Sequence, residues 1–290
     1  MLHSDIKLLK SSGEIVTYDS NKIRETLQRA STRPETIESV VTALETHLVD
    51  GMTTREIFRI LKHELKRADR HAAQRYNLRG GLLRLGPAGF KFEKYVAAVL
   101  GAYQYDAEVP PDEFSGLCVD HEVDIVAKKD GHIIMIEAKF RNRFDDVVTL
   151  KDIMATWARF VDLMDGGKAG KAPRFDEAWV VTNGRFSDRA HMFGVCKGMH
   201  LIGWSTKERS LARMVDHAAL YPITVLDYLR NYEVERFSRH DLMLCSEIAE
   251  ADPNRLAAEL GLEPIRVRRI VTDCRELIDG KRHTGHLLTE

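Results

Sequence analysis

Cysteine is scarce in this 290-residue chain and never clustered: Cys118, Cys196, Cys245 and Cys274 form no CxxC pair. That spacing argues against a zinc ribbon and gives a disulfide framework no support, so free thiols in a reducing cytoplasm are expected. No apolar stretch approaches the roughly 20 residues needed to span a bilayer, and the opening MLHSDIKLLK lacks the pattern of a signal peptide. A cytoplasmic protein with no membrane partner is the expectation. Charge of one sign is not in excess either: Lys and Arg number 43 against 44 Asp and Glu, a formal net charge of −1. A uniformly basic coat is excluded, so any nucleic-acid contact must come from local patches. A Walker A loop is missing. Gly166-Gly167-Lys168-Ala169-Gly170-Lys171 has glycine and lysine, but Ala172 stands where a magnesium-binding hydroxyl is required. That stretch reads instead as a mobile loop near the strands described below. His63-Glu64 lacks the HExxH spacing of a zinc protease.

What is present is globular in character, with 44% hydrophobic and 30% charged residues. The length suggests about two domains, or three small ones. Residues 1–88 open with two short β-like runs, Ile6–Leu9 and Ile15–Tyr18, around the turn residues Ser11, Ser12 and Gly13. Helical patterns follow: Lys22–Ala30 with Asn21 as cap, Glu35–Leu48 opened by Pro34, a capping box at Thr53–Glu56, and a last helix carrying Ala72, Ala73, Tyr76 and Leu83. Glycines between Gly80 and Gly89 mark a boundary. Residues 89–212 alternate helix and strand signals, ending strand, helix, strand, which implies a parallel crossover and therefore a mixed sheet. Residues 213–290 carry only short helical patterns, punctuated by Asp252-Pro253, Gly261 and Pro264, and a tail from His283 expected to fray. The fold class expected is α/β: a mixed-sheet core flanked by a mostly helical N-terminal domain and a helical C-terminal domain.

The chemistry concentrates in DIVAKKDGHIIMIEAKF, residues 124–140. Asp130-Gly131 between apolar runs is a two-residue hairpin turn. It pairs Lys129 with His132 and sets Asp124 opposite Glu137, with β carbons roughly 4.5–5.5 Å apart. Glu122 and Lys139 then share that face, while Val123, Ile125, Ile136 and Ala138 point to the other. Facing carboxylates repel unless a cation neutralises them, and a divalent ion with oxygen ligands does so well. Lys139 beside them could orient an attacking water and stabilise charge on a phosphate. The same pattern also fits a surface hairpin in which Glu122 and Lys139 form a cross-strand ion pair. His121 and His132 flank the site, either as helpers in metal or phosphate binding or as surface residues.

Asp124 followed by Glu137-Ala138-Lys139 resembles the PD-(D/E)xK nuclease motif, and Glu93 on the preceding helix matches that family's upstream acidic residue. The order of elements, together with WVVTNGRFSDRAHMFGVCKGMHLIGW, resembles the Mrr-like restriction endonuclease branch. The resemblance implies catalytic roles for Glu93, Asp124, Glu137 and Lys139, with Mg²⁺ or Mn²⁺ on Asp124 and Glu137. Many such enzymes carry a glutamine on the next helix; residues 151–164 have none, leaving Thr156 or Lys151 as substitutes.

LLKSSGEIVTYDSNKIRETLQRA and the later AAQRYNLR resemble the ATP-cone, a sensor of adenine nucleotides. The resemblance implies ATP or dATP bound as effector through Lys10 and Lys22. IAEADPNRLAAELGLEPIRVRRIVTDCREL resembles a helix-hairpin-helix unit, which places Gly261, Arg266, Arg268, Arg269 and Arg275 against DNA phosphates; a helical dimerisation module is the competing reading. The combined expectation is a homo-oligomeric (dimeric or tetrameric) DNA endonuclease under nucleotide control, with a role in phage defence. A non-catalytic, nucleotide-responsive DNA-binding regulator and an RNA-acting nuclease are the alternatives.

Overall fold

In the computed structural model, residues 6–10, 13–30, 32–86, 91–143 and 146–282 are described. Ser11, Ser12, the expected boundary at 87–90 and the tail from His283 lie outside the described residues. The N-terminal β-like runs pair as β1 (Lys7–Leu9) and β2 (Ile15–Thr17), antiparallel with Leu8 opposite Val16. Helix α1 (Ser20–Arg29) starts two residues earlier than Asn21 suggests, because the Asp19 carboxylate caps it by accepting from the Asn21 N–H at 2.9 Å. Pro34 opens α2 (Pro34–Glu45), where its missing N–H costs nothing. The Thr53–Glu56 capping box forms and starts α3 (Thr54–Ala68). The single last helix expected from the pattern is two, α4 (Arg70–Tyr76) and α5 (Leu78–Leu83), the first capped by Asp69. Leu27, Ile37, Val40, Val41, Leu44, Ile57, Leu61 and Leu65 interlock beneath the hairpin as a core, the apolar stripes of three amphipathic helices turned inward.

The middle of the chain runs α6 (Phe92–Ala102), β3 (Asp106–Glu108), β4 (Phe114–Ser115), β5 (Asp120–His121), β6 (Ile125–Lys129), β7 (His132–Lys139), β8 (Val147–Val148), α7 (Leu150–Lys168), β9 (Glu177–Thr182), β10 (Arg185–Phe186), α8 (Asp188–Cys196), β11 (His200–Ile202) and α9 (Leu211–His217). Five strands form one mixed sheet in the order β11-β9-β7-β6-β3. The β3–β6 and β6–β7 pairs are antiparallel, and β7–β9 and β9–β11 are parallel. The hairpin register is the one set by the Asp130-Gly131 turn: Lys129 opposite His132 and Ile125 opposite Ile136. Both turn residues have positive φ, 51° and 83°, as a primed hairpin turn requires. Val126, Met135, Ala178 and Val180 from the sheet and Ile153, Phe160 and Leu163 from α7 share one core.

The stretch 166–171 is a loop only in its second half: α7 runs to Lys168, and residues 169–171 make the turn and bend that follow. Gly166 and Gly167 lie in the last turns of α7, and Gly166 is buried there. A β carbon on Gly166 would sit 2.6 Å from the Ser115 carbonyl oxygen, so glycine is what lets this helix end pack against the β4 backbone.

After Leu220 the chain forms a short 3₁₀ turn at Ile223–Val225, then α10 (Asn231–Arg239), α11 (Cys245–Glu250), α12 (Pro253–Leu260) and α13 (Pro264–Arg282). Gly261, at φ 62°, ends α12 in the left-handed conformation that glycine adopts without strain. Residues 82–220 form one compact unit; residues 1–81 and 221–290 together form another. Within the second of these, buried Arg75 donates to the carbonyls of Ala30 (2.8 Å) and Leu277 (3.2 Å), Arg70 reaches Asp273 (3.0 Å) and Lys66 reaches Asp227 (3.1 Å). The first and last segments of the chain are thus held to each other by hydrogen-bonded charges.

Candidate active site

The hairpin delivers its carboxylates at the carboxyl end of β7, where β7 runs parallel to β9 and ligands commonly bind in α/β sheets. Asp124 sits at a bend one residue before β6. Its Oδ2 accepts from the Ala138 N–H at 2.7 Å, which ties it to β7 beside Glu137. Glu137 is in β7 and only 4% exposed. Lys139 follows on the same face, and its ammonium donates to Glu137 Oε1. Val123, Ile125 and Ile136 are buried, as the hairpin pattern requires.

Burial first, and then the charge of Glu137, push the Asp124 carboxyl up to about 6, against the pull of the Ala138 N–H and Lys139. Glu93, in the first turn of α6, adds the smallest of these upward pushes, so its charge lies near Asp124. Glu93, Asp124, Glu137 and Lys139 are therefore brought together. Glu122 is not: it is exposed and outside the strand, so the expected cross-strand pair with Lys139 does not form and Lys139 turns to Glu137.

The helix after the motif supplies what sequence reasoning missed. Arg159, on α7, donates through Nη1 to Glu137 Oε2. Both oxygens of this buried carboxylate are therefore held by cations. Thr156 is buried but spends its hydroxyl on the Asp152 carbonyl, 3.0 Å away, and Lys151 is exposed. Arg159 lies three residues beyond Thr156 on the helix, the spacing that shares a face; a charged residue on the inward stripe of Ile153, Thr156, Phe160 and Leu163 was the available signal.

A ring of fixed groups surrounds the four. Arg141 pairs with Asp152 at 2.9 Å. Burial alone would raise Asp152, but the Thr149 N–H and hydroxyl, with Arg141, hold it below the usual range. Thr182 donates to the Lys139 carbonyl at 2.6 Å, and Asn183 exchanges hydrogen bonds with the Arg141 backbone at 2.7 and 2.9 Å. These contacts fix the backbone at Lys139 and just after it. His121 is bound to Asp162 (2.8 Å) and His132 lies 3.4 Å from Glu177.

The donor set suits a hard divalent cation. One buried and one half-buried carboxylate, with a third acidic group nearby, offer oxygen ligands only, and burial together with repulsion from Glu137 already raises Asp124. Among the described residues, the one group of three ligand-type side chains whose donor atoms all lie within 4.8 Å of one another is His71, Asp273 and Glu276, in the other compact unit; Glu93, Asp124 and Glu137 are not drawn together that closely.

The nucleotide-binding candidates stand at the N-terminal hairpin and the start of α1. Lys10 pairs with Glu14 at 2.9 Å and Lys22 lies 3.9 Å from Asp19, all four exposed or partly so. Of the C-terminal arginines, Arg266 forks onto buried Glu233 at 2.6 and 2.9 Å, Arg269 stacks over Tyr228, and Arg275 donates to the Ala249 carbonyl at 2.6 Å. Arg266 is thereby committed to the fold, leaving Arg268 exposed beside it.

Known proteins bear on these sites. Residues 6–79 match the ATP cone domain, residues 87–206 the restriction endonuclease catalytic model of Mrr type, and residues 221–278 the AF1548-like C-terminal model. An uncharacterized protein of Archaeoglobus fulgidus is 33% identical over 164 residues, covering 56% of this chain and 88% of that protein. A crystal structure described as a protein of unknown function, AF1548, superposes with a TM-score of 0.54 at 29% identity, covering 65% of this chain and 98% of the other. No described helix is long and apolar enough to cross a membrane. The chain belongs to the AF1548-like family, and carries in order an ATP-cone domain, an Mrr-type restriction endonuclease domain and the AF1548-like C-terminal domain.

Proposed function

We propose that this protein is a metal-dependent DNA endonuclease whose activity responds to adenine nucleotide. The observation that carries the reading is the convergence of Glu93, Asp124, Glu137 and Lys139 at the carboxyl end of β7, inside the span that matches the restriction endonuclease model. Asp124 and Glu137 would hold Mg²⁺ or Mn²⁺, which when bound supplies a positive charge next to the phosphate and acidifies a coordinated water. Lys139 lies against Glu137, placed to orient the attacking water and to stabilise charge on the phosphate. Glu93 adds negative charge on the Asp124 side and favours a cation there. The Thr182 bond to the Lys139 carbonyl holds the lysine's backbone, so its ammonium is aimed with little reorganisation.

ATP or dATP acts in this reading as an effector at Lys10 and Lys22, where phosphate oxygens would take over from Glu14 and Asp19. The match of residues 6–79 to the ATP cone and the absence of a Walker A sequence both favour an effector over a fuel. One observation favours a second reading, a non-catalytic DNA-binding regulator: Glu137 is already fully neutralised by Lys139 and Arg159. Plasmid nicking with Mg²⁺ or Mn²⁺, against a chelator control and with or without ATP, separates the two. The endonuclease reading predicts metal-dependent cuts that ATP slows; no cutting under any of these conditions, with DNA binding retained, supports the regulator.

A further inference from the structure

Arg159 belongs to no motif recognised in the sequence, yet it makes one of the most consequential contacts in the site. Its guanidinium holds Oε2 of Glu137 while Lys139 holds Oε1. A divalent cation on Glu137 needs one of these oxygens at about 2.1 Å. Lys139 is the cation that the cleavage chemistry keeps beside the carboxylate. Arg159 is therefore the partner that must give way.

The surroundings permit it to move without disturbing the helix. Helix α7 is fixed at its start by the Thr149–Asp152 capping box and by the Arg141–Asp152 pair, and along its length by buried Ile153, Phe160 and Leu163. The Arg159 side chain is 30% exposed, so its long stem can swing while its backbone stays. Charge balance sets the direction of the swing. Glu137 contacts both Lys139 and Arg159, and the charges of Asp124 and Glu93 lie nearby, three carboxylates against two cations. A divalent ion tips that balance to positive, and the single charge of a phosphodiester restores it. A guanidinium fork is shaped for two phosphate oxygens, and after displacement it lies at the rim of the same site.

We propose that Arg159 is an exchangeable counter-ion: it competes with a divalent cation for Glu137 Oε2 and, once displaced, holds a non-bridging oxygen of the phosphate to be cut. The inference rests on the endonuclease reading above. It gives α7 a phosphate-handling residue in place of the glutamine that this helix lacks. It also predicts that metal and DNA bind with positive coupling, since each relieves a charge the other leaves unbalanced.

The test uses the full chain and titration calorimetry with Mn²⁺ in the absence of DNA, followed by DNA affinity in Ca²⁺ at several salt concentrations. Arg159→Ala should bind Mn²⁺ about tenfold more tightly than wild type, because the competing cation is gone. It should also bind DNA several-fold more weakly in Ca²⁺, with a salt slope smaller by about one, the mark of one lost phosphate contact. Arg159→Gln keeps a donor for Glu137 without the charge, and should show the same pair of changes if the alanine variant folds poorly. Unchanged or weaker Mn²⁺ affinity in both variants overturns the proposal, as does tighter Mn²⁺ with unaltered DNA binding. Failure of the endonuclease reading looks different: wild type then binds no Mn²⁺, or binds it equally well after Glu137→Gln.

Discussion

Asp124 shows at the scale of one residue how the site stores its chemistry. Burial and Glu137 raise its carboxyl to about 6, above the 3.8 of an exposed aspartate. The native state therefore keeps a proton that the unfolded chain has lost between about pH 4 and pH 6. Stability from this group is full below that window and is lost as pH rises through it. The undiscounted shift is worth roughly 3 kcal/mol, and partial exposure reduces it to about 1–2 kcal/mol. Denaturant melts of the metal-free protein should show Asp124→Asn gaining on wild type by that amount between pH 4 and pH 6, with the difference flat above pH 7. A pH-independent difference would mean the carboxylate is not held in this environment. Asp124, Glu137 and Lys139 were legible because a turn dipeptide fixes register and register fixes face. Arg159 was legible only as a charged residue beside the inward stripe of α7, since nothing in a helix sequence says which stem will bend back to a strand. The fate of Glu122 was not legible: the ladder ends at Ile125, so strand parity stops three residues short of it.

Elements carry the next level of specification. The β6–β7 register, the Thr53 capping box and the helix opened by Pro34 are local rules that the structure obeys. The errors are local rules overridden by packing. Glycines at 166 and 167 read as a loop because glycine disfavours helix interiors, by about 1 kcal/mol relative to alanine. In the fold that cost is outweighed: only a residue without a β carbon lets α7 run on against the β4–β5 backbone. Gly166→Ala should therefore destabilise the protein by about 1–3 kcal/mol despite alanine's better helix propensity, read as a lower melting temperature. A rise in melting temperature would show that the close approach of Gly166 to the Ser115 carbonyl is not real.

The whole chain is organised by a contact between its ends that no local pattern announces. Segments 1–81 and 221–290 form one compact unit, joined by Arg70–Asp273, Lys66–Asp227 and the Arg75 bond to the Leu277 carbonyl. Composition suggested where segments change, but partners 200 residues apart are set by complementary surfaces, which a single sequence does not display. Ending the chain at Leu220 would leave Arg75 buried with one carbonyl partner fewer and Arg70 without its carboxylate, a recognised route to large destabilisation. Such a truncation should be cut by protease within residues 1–81 much faster than the full chain; equal protection would show that this segment stands alone. Any loss of DNA binding in that truncation would then have two causes, so charge reversal at exposed Arg268 is the cleaner probe of the C-terminal helices. The central claim, that the carboxylates at the end of β7 make this a metal-dependent nuclease, is tested most directly by nicking of supercoiled plasmid in Mg²⁺ or Mn²⁺. Wild type is compared with folded Asp124→Asn, Glu137→Gln and Lys139→Ala. The account predicts cutting by wild type that a chelator stops and each substitution reduces at least a hundredfold; cutting by all three variants at the wild-type rate, or cutting that persists in chelator, contradicts it.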